Sequence, residues 1–560
     1  MKKVAWLLGM ALGFVFFSAA ILHGVANAAA VAKLEDCRLI INWDTCNMWN
    51  EVLYLAQQER KLDAGEFKDT LEQIVDEHAR AKVDMIVHCG FVLPWGTVPP
   101  GFKSFNRMKD PGYVTLFHPG GKTGLRKFEE SGYDLIQVLL DRSHEDGMLF
   151  LAGMRMNDLH GGTETTPFRI EHPGWMASAP DFWLDYKHEG LRQAVLAVAA
   201  EFLERYDVDG IELDWMRFCY MFSRPEAVQN APILTDFTAE LRKLLDQAAK
   251  QRGRDKLLLG VRVPSTMEEC RLLGYDVKAW VQQGLVDFIC PMDFAKTDYN
   301  TGTEEFTALT KGTQRKVYPT VHPQYVDYTL RPTPTGEYPV MHTPESYRAA
   351  AKNFYAFGAD GVSAYNYQDH WVVENHTDQW PRTMSYLTGL RTPAAVSRGD
   401  RHYRFYPFHP HFPGVVDKHQ RFVLHRRTGS PVATFPDPSG SMRFRMAEDL
   451  TDPNLSAILK FKVTGLAEGD EFEVALNGEV IPADQFERTF DDERGPPFYL
   501  YHTPLSSPPA KFGDNELRVR LAKSVGTEAL GVHEIEVNVR DNRLVGESAP
   551  ADKKKNEDTK

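Results

Sequence analysis

The chain has 560 residues and carries 64 basic and 77 acidic side chains, which gives a formal net charge of −13. Its content of 43% hydrophobic and 25% charged residues is typical of globular proteins, and it excludes a collagen, a wholly disordered chain and a polytopic membrane protein. An acidic chain without a basic stripe is also a poor candidate for binding nucleic acid, so we expect no nucleic-acid partner.

Residues 1–28 have the pattern of a secretory signal peptide. Lys2 and Lys3 precede an apolar stretch over 4–21, and residues 26–28 (Ala-Asn-Ala) fit an A-x-A cleavage site. We therefore expect a secreted or periplasmic protein that has no membrane contact once the signal is removed. The alternative is an uncleaved anchor, because the apolar stretch is about long enough to span a bilayer.

Eight short apolar runs alternate with helical patterns between residues 35 and 392. The runs are Arg38–Trp43, Val83–Cys89, Met148–Arg155, Gly210–Trp215, Leu257–Val263, Val286–Met292, Lys316–Val321 and Gly361–Tyr367. Eight β-then-α units match a (β/α)8 TIM barrel. The first run is not followed by the G-x-G-x-x-G turn that doubly wound sheets usually carry. The sequence therefore predicts an α/β fold with a catalytic TIM barrel over 35–392.

Four connections that follow predicted strands are long, over 90–130, 156–188, 294–314 and 322–343. Long loops at the C-terminal ends of barrel strands build a cleft on one face, and active sites of TIM barrels lie on that face. We expect the functional site there.

Helical periodicity disappears after residue 395. Short alternating strands follow, and Asn477-Gly478 is a strong signal for a two-residue hairpin. Residues 396–545 are therefore predicted to form an accessory β-sandwich, which either packs on the barrel or binds glycan. The charged segment 546–560 is predicted to be disordered.

The six cysteines do not follow a zinc-binding pattern, and the chain has no H-E-x-x-H motif. We therefore expect neither a metal site nor another cofactor. In an oxidising compartment Cys37 and Cys46 could form a local disulfide; the alternative is that all six are buried thiols.

The fourth predicted strand carries two carboxylates. Alternation places Glu212 and Asp214 on the same face, which points into the barrel if Leu213 faces the helices. Two inward carboxylates are costly to bury unless they are paired or functional. We interpret Asp214 as a nucleophile or base, with Glu212 or Asp293 as the proton donor. The alternative is a structural pair neutralised by Arg217 or Arg155.

Other polar and aromatic residues lie at predicted strand ends. A cation, an amide, a carboxylate and an imidazole occur within the six residues 155–160 at the end of strand three, although Asn and Asp side chains also cap loops. Glu268 and Glu269 follow strand five and are further candidates for the proton donor. The predicted substrate-binding residues are Arg155, Asn157, Asp158, His160, His88, Trp215, Arg217, His322, Tyr325, Tyr365, Asn366 and Tyr367.

Three segments carry a family resemblance. Residues 155–160 (RMNDLH), 206–217 (YDVDGIELDWMR) and 280–294 (WVQQGLVDFICPMDF), in this order and spacing, resemble the glycosyl-hydrolase-like family 10 proteins. The resemblance implies a TIM barrel of the α-amylase-like group, a carbohydrate substrate and an acidic residue at the end of strand four, here Asp214. Enzymes of that group have Arg two residues before this Asp and Glu at the end of strand five. This chain has Glu212 at the first position, and Val261–Ser265 contains no Glu.

These observations favour an exported glycoside hydrolase that cleaves a poly- or oligosaccharide. One alternative is a barrel that binds glycan without cleaving it, which the missing strand-five Glu supports. Another is a polysaccharide lyase in which His322 or Tyr325 abstracts a proton next to a uronate. The sequence leaves the oligomeric state open.

Overall fold

In the computed structural model, the described residues are 33–44, 63–92, 131–157, 171–177, 183–293, 296–326, 339–367, 383–405, 423–424, 439–493, 497–523, 525–526 and 530–543. The predicted signal peptide, the C-terminal tail, Cys46, Asp158 and His160 lie outside these residues. Among the residues described, no helix is both long and apolar enough to cross a bilayer. Cys37 is a buried free thiol.

Within the described residues, the N-terminal part contains a nine-stranded parallel sheet. In chain order its strands are β1 Leu39–Asp44, β2 Met85–Val92, β3 Leu149–Arg155, β4 Gly210–Asp214, β5 Leu258–Pro264, β6 Phe288–Met292, β7 Lys316–Val317, β8 Thr320–Val321 and β11 Val362–Tyr365. Across the sheet the strand order is β7-β6-β5-β4-β3-β2-β1-β11-β8. An antiparallel hairpin of β9 Gln324–Val326 and β10 Pro339–Met341 follows β8.

The two ends of this sheet are formed by the same short segment. Strands β7 and β8 are separated only by Tyr318 and Pro319. The Tyr318 N–H donates to Ile289 O of β6 at 2.8 Å, and the Ser363 N–H of β11 donates to Pro319 O at 3.0 Å. The predicted single strand is divided because Pro319 has no N–H to donate to a ladder. Pairing of one segment with both neighbours fits the predicted TIM barrel.

The interior of the sheet changes from apolar to polar along the strands. Toward the N-terminal ends of the strands, the interior is filled by an apolar cluster. Its buried members are Cys37, Ile40, Met85, Val87, Leu149, Leu151, Phe288, Cys290 and Tyr318. Because side chains alternate between faces, the next inward positions toward the C-terminal ends are Asn42, Gly153, Glu212, Asp214, Arg262, Thr320, Ser363 and Tyr365. Buried polar groups therefore lie together at the C-terminal end of the barrel, which is the end that carries the active site in TIM barrels.

Helices cover the outer face of the sheet. They are α1 Ala64–Arg80, α2 Leu135–Glu145, α3 Glu189–Arg205, α4 Ala227–Gln251, α5 Met267–Leu273, α6 Val277–Gln282, α7 Thr303–Thr310, α8 Pro344–Ala356, α9 Met384–Thr388 and α10 Pro393–Val396. Their apolar side chains form one core with the outward residues of the strands, such as Ile41, Phe150 and Leu213. Helix α1 starts at a capping box in which Asp63 and Glu66 accept each other's backbone N–H.

A buried histidine links helix α1 to strand β1. Trp43 Nε1 donates to His78 Nε2 at 3.1 Å, and His78 Nδ1 lies 2.7 Å from Ile74 O, which accepts its proton. Both ring nitrogens are therefore satisfied only in the neutral form. Burial lowers the pKa of His78 from 6.5 to about 4.

His78 predicts an acid-dependent loss of stability. The unfolded chain binds a proton more readily than the folded one between pH 6.5 and 4, so stability falls as the pH is lowered through this window, by up to about 3 kcal/mol. His78→Gln keeps an acceptor for Trp43 but does not titrate. Urea unfolding at several pH values should show a flatter dependence for this variant. Equal slopes for the two proteins would contradict the assignment.

The C-terminal part consists of two antiparallel sheets. Its strands are β12 Arg401–Phe405, β13 Val423–Leu424, β14 Ser439–Met446, β15 Leu455–Thr464, β16 Glu471–Leu476, β17 Glu479–Ile481, β18 Glu487–Asp491, β19 Phe498–Leu505, β20 Gly513–Lys523 and β21 Leu530–Asp541. One sheet has the order β12-β21-β15-β19-β18 with β13 on β21, and the other β14-β20-β16-β17. The predicted hairpin at Asn477-Gly478 is confirmed, since both residues have positive φ and join β16 to β17.

Residues at the end of β14 make polar contacts with barrel helix α8. Asn353 Nδ2 donates to Arg445 O at 2.7 Å, and the Ala447 N–H donates to Asn353 Oδ1 at 2.8 Å. Glu448, which is fully buried, accepts from Arg401 and from Lys352 of the same helix. The C-terminal part therefore packs on the barrel.

Candidate active site

Asp214 is the last residue of β4 and is only 2% exposed. Its Oδ1 accepts the Met216 N–H at 2.9 Å. In the strand register Asp214 pairs with Arg155 of β3 on one side and with Arg262 of β5 on the other. A carboxylate thus ends β4 between two strands that each carry an arginine at the same level.

Glu212 lies two residues deeper and is held by an arginine. Arg262 Nε and Nη2 donate to its two carboxylate oxygens at 3.2 Å each, and Asn42 Nδ2 donates to Oε1 at 2.6 Å. The predicted structural partner, Arg217 or Arg155, is wrong: the partner is Arg262. Burial raises the pKa of Glu212, and the charge and hydrogen bonds of Arg262 oppose this effect.

Arg262 connects most of the inward polar layer. It donates to Thr320 Oγ1 at 2.9 Å and to Ser363 Oγ at 3.1 Å, and it is fully buried. Burial lowers the pKa of its guanidinium, but the surrounding acidic groups, Glu212 foremost among them, together raise this pKa above its usual value. Sequence reasoning missed Asn42 and Arg262. The available signal was a polar side chain at the inward spacing of an otherwise apolar run.

Three of the predicted binding residues lie close together at this end of the barrel. Arg155 Nη2 donates to the Tyr365 hydroxyl at 3.0 Å, and the ring of Tyr365 lies 6.3 Å from that of His322. The His322 Nδ1 atom accepts the Gln324 N–H at 3.2 Å, which orients its ring. Strands β3, β8 and β11 therefore bring Arg155, His322 and Tyr365 together.

Asn157 has a structural role instead of the predicted substrate contact. Its Nδ2 donates to Leu184 O at 3.2 Å and to Tyr220 O at 3.0 Å, and its Oδ1 accepts the Leu184 N–H at 3.3 Å. Both amide protons are used, so the side chain ties two loops together.

Three other predicted binding residues belong to the core. His88 lies on the helix-facing side of β2 with its ring 6.2 Å from Phe150, because the neighbouring Val87 faces inward. Trp215 is fully buried among the aromatic rings of Tyr186, Phe237, Tyr275 and Trp280. The Tyr367 hydroxyl donates to Thr383 O, and its ring packs on Tyr347. These side chains cannot contact a substrate without repacking the core.

Two of the three remaining candidate carboxylates are half-buried. Asp293, half-buried, comes directly after β6, and Glu269 is half-buried in the first turn of α5. Burial raises the pKa of Cys219 in the loop that follows β4, and the charges of Glu269 and Asp293 raise it further. Glu268 instead is exposed and paired with Arg271.

The other predicted residues lie at the margin of the site. Arg217 is half-buried in the loop after β4. Tyr325 packs against the C-terminal sheets, since the Arg404 guanidinium lies 4.1 Å from its ring centre. Asn366 follows β11 with a φ of 47°, and its N–H donates to Asn42 O at 3.2 Å. Among the residues described, no group of three or more His, Cys, Asp or Glu is placed to hold a metal ion.

Residues 117–230 match the family model described as glycosyl hydrolase-like 10. The predicted family resemblance is confirmed for this segment. The segment contains Arg155, Glu212 and Asp214, the residues of β3 and β4 described above.

Several solved structures are distantly similar to this chain. A cycloisomaltooligosaccharide glucanotransferase from Paenibacillus sp. is 9% identical, with 90% of this chain and 57% of that chain covered and a TM-score of 0.32, so this chain spans little more than half of that protein. The PgaB (BpsB) glycoside hydrolase domain from Bordetella bronchiseptica is 11% identical, with 64% and 99% covered and a TM-score of 0.38. The noncanonic maltogenic alpha-amylase AmyB from Thermotoga neapolitana is 12% identical, with 90% and 99% covered and a TM-score of 0.36.

Proposed function

We propose that this chain is an exported glycoside hydrolase acting on a poly- or oligosaccharide. The observation that carries the proposal is the position of Asp214: a buried carboxylate at the C-terminal end of β4, flanked in register by two arginine-bearing strands. The glycosyl hydrolase-like 10 match over the same strand supports a carbohydrate substrate. Export rests on the signal-peptide pattern of residues 1–28.

In this proposal Asp214 is the nucleophile or the general base. Either role requires an ionised carboxylate next to the anomeric carbon or its attacking water. The guanidinium of Arg262 stabilises negative charge in this layer, and the Met216 N–H fixes the Asp214 carboxylate through Oδ1.

Asp293 is proposed as the proton donor in preference to Glu212. A donor must reach the glycosidic oxygen and exchange its proton with water between turnovers. Glu212 is fully buried and engaged by Arg262 and Asn42, whereas Asp293 is half-buried at the end of β6. Glu269 is the alternative donor, because it is half-buried in the first turn of α5, the helix that follows β5. In this proposal Glu212 has a positioning role: its bonds to Arg262 and Asn42 hold the part of β4 that precedes Asp214.

The test uses the purified chain without residues 1–28 on a panel of neutral, amino and acidic polysaccharides. New reducing ends and ultraviolet absorbance are followed together. Reducing ends without absorbance support a hydrolase. Absorbance from a new double bond identifies the lyase instead, and retention of a glycan on an affinity gel without any product identifies the glycan-binding barrel. That last alternative has one supporting observation: β5 ends in Arg262, Val263 and Pro264, without a carboxylate.

The proton donor is assigned by pH profiles of two variants. Asp293→Asn is expected to lower kcat by about 10²–10⁴-fold and to remove the alkaline limb of the pH profile, because that limb reports loss of the acid's proton. Glu269→Gln, the matched carboxylate-to-amide control, should keep both limbs. If Glu269→Gln loses the alkaline limb and Asp293→Asn keeps it, the two roles are exchanged.

A further inference from the structure

Two asparagines in the described part of the chain adopt the left-handed conformation that favours glycine. Asn366 has a φ of 47° and Asn477 has a φ of 51°. Asparagine tolerates this region better than most residues, but the conformation still has to be stabilised by its surroundings. The two residues differ in what their side chains bind.

The Asn477 side chain is fully engaged by protein groups. Its Nδ2 donates to Pro509 O at 2.7 Å and to Asn515 Oδ1 at 2.8 Å, and its Oδ1 accepts the Glu516 N–H at 2.9 Å. These bonds account for the unusual conformation, which forms the β16–β17 hairpin.

From the residues that the structure describes, in contrast, the amide oxygen of the Asn366 side chain receives no hydrogen bond that would explain the unusual conformation. The residue is only 5% exposed, and within the described structure Oδ1 receives no hydrogen bond. A buried acceptor without a donor is costly, so native proteins rarely retain one without a reason. The oxygen lies in the residue that directly follows β11, next to Tyr365.

A second buried acceptor without a donor in the described structure belongs to Asn42, whose backbone is hydrogen-bonded to that of Asn366. Asn42 Oδ1 is also buried and, among the residues described, receives no hydrogen bond, while its Nδ2 is fixed by Glu212. The Asn366 N–H donates to Asn42 O, so the two residues are bonded neighbours at the junction of the first and last barrel strands. Each of these two amide oxygens requires a donor, and a nearby anionic group would supply none.

We propose that Asn366 is a specificity-determining residue whose amide oxygen accepts a hydrogen bond from a hydroxyl group of the bound sugar. This proposal rests on the proposed function and narrows it to a sugar that is uncharged at this junction, which disfavours a uronate or sulfate there. The strained backbone and the buried acceptor are then features of a binding site formed before substrate arrives.

The test compares Asn366→Gly with Asn477→Gly in the full chain without residues 1–28. Calorimetry should give Asn366→Gly a Tm at or above that of the wild type, because glycine adopts this φ freely and no protein hydrogen bond of the side chain is lost. The Tm of Asn477→Gly should be a few degrees below that of the wild type, because the substitution removes three hydrogen bonds. Toward the neutral polysaccharide cleaved best by the wild type, Asn366→Gly should lose about tenfold or more in kcat/KM, and Asn477→Gly should match the wild type.

If the wild type cleaves a glycan, two outcomes overturn the proposal. A Tm of Asn366→Gly that falls as far as that of Asn477→Gly makes its side chain structural, and an unchanged kcat/KM means that an internal water satisfies the oxygen. If the wild type cleaves no glycan, the glycosidase proposal fails. Retention of the same neutral glycans on affinity gels then decides the role of Asn366: weaker retention of Asn366→Gly supports it, and equal retention, or none by the wild type, overturns it.

Discussion

Asp214→Asn is expected to lower kcat by at least about 10³-fold while the fold remains intact. The variant keeps the size of the side chain and an oxygen that can accept the Met216 N–H, so the loop after β4 retains its anchor. It removes the negative charge that a nucleophile or base requires. Initial rates of reducing-end release, together with circular dichroism and Tm, measure both parts of this result.

Asp207→Asn is the matched control. Asp207 precedes β4 by three residues, at the opposite end of the strand, and its largely exposed side chain pairs with Arg252 and Arg254. Its loss should leave kcat unchanged, since exposed ion pairs also contribute little to stability. Full activity of a folded Asp214→Asn protein would remove Asp214 from the mechanism.

Arg262→Met should lower the free energy of unfolding by about 3–5 kcal/mol, which is the largest loss of stability expected among the single substitutions proposed for this protein. The guanidinium donates to Glu212, Thr320 and Ser363 inside the barrel, and its loss leaves the Glu212 carboxylate buried without a cation. The control Arg520→Met removes an exposed pair with Glu473 and should cost less than about 1 kcal/mol. Urea unfolding of the two variants gives the comparison.

The pH dependence identifies the cause of that loss. Burial already raises the pKa of Glu212, and removal of Arg262 takes away the charge that opposes this effect. A carboxyl whose folded pKa lies above its unfolded value stabilises the fold less as the pH rises above the unfolded value. Arg262→Met should therefore be least destabilised in acid, and adding Glu212→Gln should restore stability near neutral pH. A pH-independent loss would point to packing instead.

The order of elements in the barrel could be predicted from sequence because each strand has a short apolar run followed by a helical pattern. The alternation in β4 also placed Glu212 and Asp214 on the inward face correctly. The same rule, applied to β2, would have turned His88 toward the helices, because Val87 and His88 face opposite sides. Strand seven was predicted as one run, and Pro319 divides it.

The side-chain partners could not be predicted in the same way. Glu212 and Arg262 are separated by 50 residues, and Asn42 lies 170 residues from Glu212, so their pairing depends on closure of the whole sheet. Asn157 was interpreted from its neighbours in sequence, but its partners Leu184 and Tyr220 come from other loops. Local patterns determine which face a residue occupies, whereas tertiary contacts determine what it binds.

The contact between helix α8 and the C-terminal sheets bears on how this protein could evolve. A domain that is exchanged between proteins during evolution must be separable from its neighbour without leaving buried charged groups unpaired. Here Lys352 belongs to the barrel and Glu448 to the sheets, and Glu448 has no exposed surface. Recombination between residues 392 and 401 would separate this pair and leave Asn353 without its two backbone partners. The two parts are therefore expected to have been inherited together and to have diverged as one unit.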